Sequence, residues 1–376
     1  MKLKVKDIST FLDDAVPLSW QESYDNSGLQ TGNPENEVSS ALLSLEATED
    51  VVREAVEKKC GMIITHHPVI FHPLKKLTGK TVAERVLIEA VNNGIAIYSS
   101  HTNLDVHSNG VSRRMAEKLG LKEIRPLRPL ENKLYKLVTY VPSDYADRVR
   151  DAIFSAGAGV IGNYDLCSFN SSGFGTFRGN EESNPFAGEK GVMHREQEIR
   201  IETILLSHLR GRVIKALLEA HPYEEVAWDL FPLVNDYEMA GTGSIGTLPT
   251  PVEDKVFPEL VARIFNAELI KHSQARGRFI SKVAVCGGAG SSFIDNAIAA
   301  DADAYITGEI RYHDFLNSSG SIFLVETGHY ESEICSLEIL YELLIKKFPT
   351  FALRFSEIKS NPINYYSNGK NKTTGD

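Results

Sequence analysis

Short apolar segments alternate with amphipathic segments in two separate parts of the chain, and this alternation constrains the fold most strongly. In the first part, Met62–Thr65 and Ile95–Tyr98 are predicted strands, and Thr81–Asn92 between them is a predicted helix. In the second part, Val283–Cys286 and Ala304–Thr307 are predicted strands on either side of a helical segment. Buried strands separated by helices are typical of α/β folds with mostly parallel sheets.

The middle of the chain has a different order of predicted elements. Strands at Lys136–Val141, Glu198–Thr203 and Ala227–Leu230 accompany two helices and a stretch rich in Gly, Asn and Ser. We interpret this order as β-α-β-β-α-β, the ferredoxin-like α+β unit. The expected divisions are residues 1–127 and 240–366 for two halves of an α/β core, 134–233 for an inserted domain, and 367–376 for a disordered polar tail.

Charge, hydropathy and cysteine content argue against several classes of protein. The 376 residues include 40 Lys and Arg against 50 Asp and Glu, a net charge of −10, which disfavours an extended nucleic-acid-binding surface. No run approaches the ~18 apolar residues that span a bilayer, and the N-terminus does not have a signal-peptide pattern. Four widely spaced cysteines are typical of free thiols in a reducing compartment. We expect a cytoplasmic protein without membrane contact.

Imidazoles and carboxylates follow three of the predicted strands directly. In open α/β sheets, ligands gather beyond the carboxyl ends of the strands, so this is where a site is expected. The spacing of His329 and Glu333 places both on one face of a helix, one turn apart. The candidate residues are His66 and His67 after Met62–Thr65, His101 and Asp105 after Ile95–Tyr98, and His329 and Glu333 after a further predicted strand, Ile322–Val325.

Each of these features also has a simpler explanation. A His-His pair is often a loop feature, Asp105 could cap a following helix, and His329 with Glu333 could be a solvated surface pair. Their coincidence at three strand ends favours a metal site. Nitrogen and oxygen ligands suit Zn²⁺, Mn²⁺, Fe²⁺, Co²⁺ or Ni²⁺. Three ligands would form one open site, whereas five with a shared carboxylate can hold two ions about 3.5–4 Å apart.

Other polar motifs lie near the same strand ends. The turn 287–292, between a strand and a helix, is either an anion cradle or a tight turn without a ligand. Glu309 and His313 are candidates for acid-base catalysis or for supporting the metal ligands, or they begin a surface helix. In the middle segment, 221–225 is interpreted as a structural turn or packing contact rather than an effector site.

Several ordered motifs resemble those of a known family. They are WQESYDNSGLQ at 20–30, THHP at 65–68, HTNLD at 101–105, TGE at 307–309 and GHYESE at 328–333. Together they resemble the Nif-three-like dinuclear metal-centre family, whose bacterial members often carry the label GTP cyclohydrolase 1 type 2 homolog. The middle segment looks like the insert of the longer members, which is similar to CutA and to trimeric nitrogen-signalling proteins.

The resemblance implies a site, an assembly and an activity. It implies two divalent ions held by His66, His67, Asp105, His329 and Glu333, with Glu333 alone or together with Asp105 as the bridge. It also implies His101 as a nearby non-ligand acid-base group or substrate contact. It also implies a homohexamer in which the inserts associate as trimers. We expect a metal-dependent hydrolase of a small nucleotide-like or phosphorylated molecule, with His101 and Glu309 as proton-transfer residues. The alternative is a non-enzymatic metal-binding scaffold or sensor regulated through the insert.

Overall fold

A computed structural model describes residues 3–366. Within this range the chain forms two compact units, unit 1 with residues 3–128 and 240–366 and unit 2 with residues 129–239. The tail 367–376, expected to be disordered, lies outside the described residues. Among residues 3–366, no helix combines the length and the apolar character needed to cross a bilayer.

Helices and strands alternate along most of the described chain. The strands are β1 (Gly28–Thr31), β2 (Ser40–Ser44), β3 (Met62–Thr65), β4 (Ala96–Ser99), β5 (Lys122–Leu130), β6 (Leu134–Pro142), β7 (Ser168–Phe177), β8 (His194–Leu206), β9 (Trp228–Pro232), β10 (Tyr237–Glu253), β11 (Lys271–His272), β12 (Phe279–Cys286), β13 (Ala304–Thr307), β14 (Phe323–Glu326) and β15 (Ala352–Phe355). The α-helices are α1 (Val5–Ala15), α2 (Glu49–Glu57), α3 (Val82–Asn92), α4 (Thr102–Asp105), α5 (Val111–Lys118), α6 (Ala146–Ser155), α7 (Arg210–Ala220), α8 (Phe257–Phe265), α9 (Ile294–Ala299), α10 (Tyr312–Asn317), α11 (His329–Glu333) and α12 (Ser336–Lys347).

The first sheet of unit 1 is buried on both faces. Its strand order is β1-β4-β3-β2-β15, and every neighbouring pair except β1 with β4 is parallel. Successive residues of β3 face opposite sides. Ile63 packs with Val51 and Val86 from α2 and α3, whereas Ile64 belongs to the cluster that contains Ile8 and Leu12 of α1. The sheet is therefore covered by helices on both sides, which explains its continuous apolar strands.

The second sheet of unit 1 is mixed. Its order is β11-β14-β13-β12-β10-β5. The pairs β12-β13 and β13-β14 are parallel, but β10-β12 and β11-β14 are antiparallel. The prediction of an α/β fold is confirmed. The expectation that the sheets are mostly parallel holds for the first sheet but not for the second, which is mixed. The reason is that the antiparallel strands come from segments, 237–253 and 271–272, whose pairing is not encoded in local periodicity.

The two halves of unit 1 exchange edge strands. The C-terminal strand β15 pairs in parallel with β2, from Ala352 opposite Ser40 to Phe355 opposite Leu43. The N-terminal half contributes β5 to the second sheet. Each half therefore completes the sheet of the other.

The strand register positions the polar groups of the candidate site. In the first sheet, Thr65 at the end of β3 pairs with Ser44 of β2 and with Ser99 of β4. In the second sheet, Thr307 pairs with Cys286 and with Glu326. The carboxyl ends of three parallel strands are thus level in each sheet, and the segments that follow them emerge at the same edge.

Unit 2 has the element order β-α-β-β-α-β. Its sheet order is β7-β8-β6-β9, and all three neighbouring pairs are antiparallel. The helices α6 and α7 pack on one face through Val149, Ile153, Val213 and Leu217. The sequence analysis located only three of the four strands that this order requires. It assigned none to 168–177, because this segment is rich in Gly and Asn, which have low strand propensity. Pairing with β8 along the whole of β7 forms this strand.

Candidate metal centre

Polar side chains from both sheets of unit 1 meet in one cluster. His66 and His67 follow β3, the short helix α4 after β4 carries Asp105, and α11 after β14 carries His329 and Glu333. Asp105 closes α4 and does not cap the next helix, since the N-cap of α5 is a glycine at position 110. The structure therefore brings the strand-end residues of the sequence analysis together.

Glu333 is the centre of this cluster. One carboxylate oxygen, Oε2, lies 2.8 Å from Nε2 of His67 and 3.0 Å from Nε2 of His329. The other oxygen, Oε1, lies 3.8 Å from Nε2 of His66, which is itself 3.6 Å from Oδ1 of Asp105. The buried Glu333 side chain therefore reaches two neighbouring groups of side chains at once.

Three sets of side chains have ligand atoms close enough to hold an ion. The members of each set lie within 4.8 Å of one another. The sets are His66 with Asp105 and Glu333, His67 with His329 and Glu333, and His66 with His67 and His101. The cluster could therefore bind metal ions, and the first two sets share Glu333.

All four histidine rings of the cluster are anchored through Nδ1. The partners are the Ser100 carbonyl for His66 (2.8 Å), Glu46 Oε1 for His67 (3.1 Å), Asp25 Oδ1 for His101 (2.8 Å) and Glu309 Oε1 for His329 (2.7 Å). Each partner is an acceptor, so each Nδ1–H donates, and Nε2 is the ring nitrogen left for contacts within the cluster. Outer carbonyls and carboxylates that orient imidazoles in this way are typical of metal sites.

Unsatisfied polar atoms at the centre indicate that a cation fits. Among the described residues, Nε2 of His66, Oδ1 of Asp105 and Oε2 of Glu46 are buried without a hydrogen-bond partner. Buried polar groups without partners are costly, and such atoms are usually satisfied by a ligand, an ion or water. Two of these atoms belong to the same ligand set. The donor set therefore suits a divalent cation.

The electrostatics of the cluster also favour positive charge. Burial alone would lower the pKa of His67, but hydrogen bonds and charge from Glu333 and Glu46 raise it to about 10. At His329, burial likewise lowers the pKa, but Glu333 and Glu309 raise it to about 9. Burial and the neighbouring Glu333 charge raise the pKa of Asp105, although nearby imidazoles oppose this. Carboxylates that hold protons on buried imidazoles would also stabilise a bound cation.

The sequence analysis did not list either of two carboxylates that orient the histidines, Glu46 and Asp25, among the candidate site residues. Glu46 was not singled out by the sequence analysis, although it follows β2 by two residues and the strand-end argument would have found it. Asp25 lies in the first quoted motif, in a segment for which the sequence left two roles open, lining a metal cleft or only shaping a turn. Burial opposes its ionisation, but bonds from the His101 ring, Thr102 and the Asn26 N–H hold its pKa well below the usual range. Asp25 is therefore an anion that orients His101.

The glycine-rich turn after β12 serves close packing. The N–H groups of Gly287, Gly288 and Gly290 donate to the hydroxyl oxygens of Ser112 (3.3 Å), Ser332 (3.0 Å) and Thr307 (3.0 Å). These N–H groups are therefore not free to cradle an anion, which was one of the two interpretations of this turn. Gly288 has a φ of +61°, and a Cβ at this position would collide with Oε1 of Glu333. The turn lets Glu333 approach the backbone closely.

Glu309 and the segment 221–225 have structural contacts. Glu309 lies on the outer side of His329, where its exposed carboxylate accepts from Nδ1. In unit 2, the buried His221 uses Nε2 to contact the Tyr140 carbonyl (3.0 Å) and Nδ1 to accept from the Tyr223 N–H (3.1 Å). Both ring nitrogens are thus occupied, which agrees with the interpretation of this segment as a structural turn.

Comparison with known proteins identifies the family. The family model Duf34/NIF3 (NGG1p interacting factor 3) matches residues 3–362. The chain belongs to this family. The Halalkalibacterium halodurans protein named GTP cyclohydrolase 1 type 2 homolog is 39% identical over 298 residues, 79% of this chain and 80% of that protein. The Bacillus subtilis protein of the same name is 34% identical over 355 residues, 93% of this chain and 95% of that protein.

A solved structure of the same family has the same fold. The Bacillus cereus protein related to NIF3 superposes with a TM-score of 0.86 at 34% identity, covering 97% of this chain and all of that chain. The resemblance noted from the motifs is therefore confirmed at the level of the family.

Proposed function

We propose that this chain holds two divalent metal ions side by side and hydrolyses a small phosphorylated or nucleotide-like molecule. His66, Asp105 and Glu333 would hold one ion, and His67, His329 and Glu333 the other. The observation that carries this assignment is that the two carboxylate oxygens of Glu333 face different groups of side chains. The unpartnered atoms of His66 and Asp105 support the first set. Zn, Fe, Mn, Co and Ni all suit such ligands.

A bound ion pair would supply Lewis-acid activation of a substrate oxygen and of water. A cavity of about 660 Å³ beside His329 offers room for a substrate. Its wall includes Lys271, Arg311 and the hydroxyl side chain of Ser291, which are groups that bind phosphate oxygens. Lys271 is also paired with Glu326 at 2.6 Å, so a substrate anion would compete with that ion pair.

His101 is the residue that we propose to move a proton. Its Nδ1–H donates to the anionic Asp25, which leaves Nε2 able to accept a proton and stabilises the resulting imidazolium. Its ring lies 5.3 Å from the rings of both His66 and His67. Glu309 is the second proton-transfer candidate, and its bond to His329 gives it a positioning role as well. His101→Asn is expected to lower kcat by about 100-fold or more while leaving KM nearly unchanged.

We further propose that residues 134–233 form a ferredoxin-like domain inserted between the core segments 1–127 and 240–366, and that the protein is a cytoplasmic homohexamer. The strand order of unit 2 supports the first proposal. Exposed aromatic side chains on unit 2, among them Phe169, Phe174 and Phe231, support association between copies. Native mass spectrometry of the full chain tests this, and a monomer at micromolar concentration would contradict it.

The hydrolase proposal is tested with metal-loaded full-length protein. The chain is loaded with each of the five metals and assayed against phosphate monoesters, phosphodiesters and nucleoside triphosphates. We expect turnover by the wild type and by Glu57→Gln, a control that removes an exposed carboxylate, and no turnover by Glu333→Gln. If a preparation with two bound ions per chain turns over no substrate, the hydrolase proposal fails and the non-enzymatic scaffold or sensor is favoured.

A further inference from the structure

A second cavity lies in unit 1, at the opposite end of the second sheet from the metal centre. Its volume is about 650 Å³. The wall includes Ile280 near the start of β12, Asp303 just before β13 and Phe323 at the start of β14. The metal cluster lies instead at the carboxyl edge of this sheet, where His329 and Glu333 follow β14. The cavity is therefore separate from the proposed centre, and its volume is in the range of small-molecule sites.

Two arginines lie in this cavity without an acidic partner. Nη2 of Arg276 donates to Oγ of Ser319 at 3.2 Å, and Nη1 of Arg278 donates to the carbonyl of Gly320 at 3.3 Å. Both acceptors are neutral, and within residues 3–366 neither guanidinium forms an ion pair. Gly320 has a φ of +90°, and a Cβ there would approach Nη1 of Arg276 to 2.6 Å. The absence of a side chain at Gly320 therefore lets the Arg276 guanidinium lie against the turn.

The carboxylates of the cavity bind main-chain donors. Asp254 accepts from the N–H groups of Arg276 (2.6 Å), Gly277 (3.2 Å) and Arg278 (3.2 Å). Asp303 accepts from the N–H groups of 281 and 282 at 2.9 and 2.8 Å. These bonds hold the arginine segment and the start of β12 in place. The carboxylates are thus engaged by the backbone, while the guanidinium groups keep unused donors.

Aromatic and aliphatic side chains border the same cavity. Phe279, Tyr312 and Leu316 are 63%, 76% and 59% exposed, which is unusual for three large apolar side chains around one cavity. The His272 ring stacks on Phe323, with centroids 5.8 Å apart and an angle of 26° between the planes. A flat ring system could cover these surfaces.

We propose that this cavity binds a small organic anion in which a phosphate group is joined to a planar ring. Arg276 and Arg278 would bind the phosphate oxygens, because guanidinium groups match phosphate with paired hydrogen bonds. The ring would pack against the exposed face of Phe279. This site is independent of the proposed metal centre and of its reaction.

Isothermal titration calorimetry with the full-length chain tests the proposal, with phenyl phosphate and inorganic phosphate as probes and EDTA present to remove metal ions. We expect phenyl phosphate to bind more tightly than inorganic phosphate. Arg276→Gln/Arg278→Gln should weaken both probes by about tenfold or more. The control Arg53→Gln/Arg150→Gln removes the same charge from α2 and α6 and should leave binding unchanged.

A second variant separates the two parts of the site. Phe279→Ser changes an exposed side chain and should weaken phenyl phosphate binding while inorganic phosphate binds as before. Thermal unfolding of every variant reports whether it is folded. The proposal is overturned if the wild type binds neither probe at millimolar concentration, or if the arginine variant binds both as well as the wild type. Equal affinity of the wild type for the two probes would overturn the role of the ring.

Discussion

The Nε2 atom of His67 lies 2.8 Å from Oε2 of Glu333, although 266 positions separate the two residues in the chain. His67 leaves the first sheet and Glu333 leaves the second, so this contact joins the carboxyl edges of both sheets. The proposed metal centre depends on this convergence, because neither sheet alone carries both ligand sets.

The number of ions that a carboxylate variant loses should equal the number of ligand sets to which that carboxylate belongs. We expect two ions per wild-type chain, about one for Asp105→Asn, and almost none for Glu333→Gln, because Glu333 belongs to both sets and Asp105 to one. Elemental analysis of protein purified and reloaded under identical conditions measures this. Glu57→Gln, which removes an exposed carboxylate, is the matched control and should retain both ions. A Glu333→Gln protein with full metal content would contradict the assignment.

Metal removal should lower stability only when the centre is intact. A ligand that binds the folded state alone, at 100 times its Kd, adds about 2.7 kcal/mol to the free energy of unfolding. We therefore expect EDTA to lower the Tm of the wild type measurably and to leave the Tm of Glu333→Gln nearly unchanged. Scanning calorimetry at matched protein concentration measures both. Equal shifts in the two proteins would indicate that EDTA acts elsewhere.

Alanine substitutions at two glycines, Gly94 and Gly288, distinguish the cost of backbone strain from the effect of a steric conflict with Glu333. Gly288 and Gly94 have similar φ angles of +61° and +66°, but a Cβ at Gly94 has no atom within 4 Å, whereas at Gly288 it meets Glu333. Both Gly→Ala variants should lose about 1–2 kcal/mol of stability from the left-handed conformation. Only Gly288→Ala should also lose metal, because Glu333 must move. Urea unfolding and elemental analysis together test this, and a metal-loaded Gly288→Ala protein would contradict it.

The pH dependence of stability should include a contribution from Glu84, which belongs to none of the proposed ligand sets. Its carboxylate accepts from the Thr78 hydroxyl, the Thr78 N–H and the Lys80 N–H, and these bonds lower its pKa to about 2. The folded state therefore binds this proton less readily than the unfolded state, where the pKa is about 4.3. The stabilisation is complete above about pH 4.3 and is lost as the pH falls towards 2.

Urea unfolding of the wild type and Glu84→Gln measures this contribution. The difference in unfolding free energy between the two proteins should be larger at pH 7 than at pH 3. Glu57→Gln removes an exposed carboxylate from α2 and serves as the control for charge. A difference for Glu84→Gln that grows as the pH falls would contradict the assigned direction.

The sequence by itself determined the α/β character of unit 1, the strands β3 and β13, and the position of His66, His67, His101, Asp105, His329 and Glu333 just after strand ends. Local hydrophobic periodicity and chain order encode these features, and the motifs were sufficient to indicate the family. Glu46 was within reach of the same argument and was missed.

Only the tertiary structure decided which strands pair and which polar atoms face one another. The strand β7, rich in Ser and Gly, exists because β8 supplies its partners, and β15 completes a sheet begun some 300 residues earlier. Likewise, packing between distant segments turns Nε2 of His66, His67 and His329 towards Glu333 and occupies the N–H groups of the glycine turn. Periodicity reports which face of an element is buried, whereas register and side-chain contacts depend on neighbours far away in the chain.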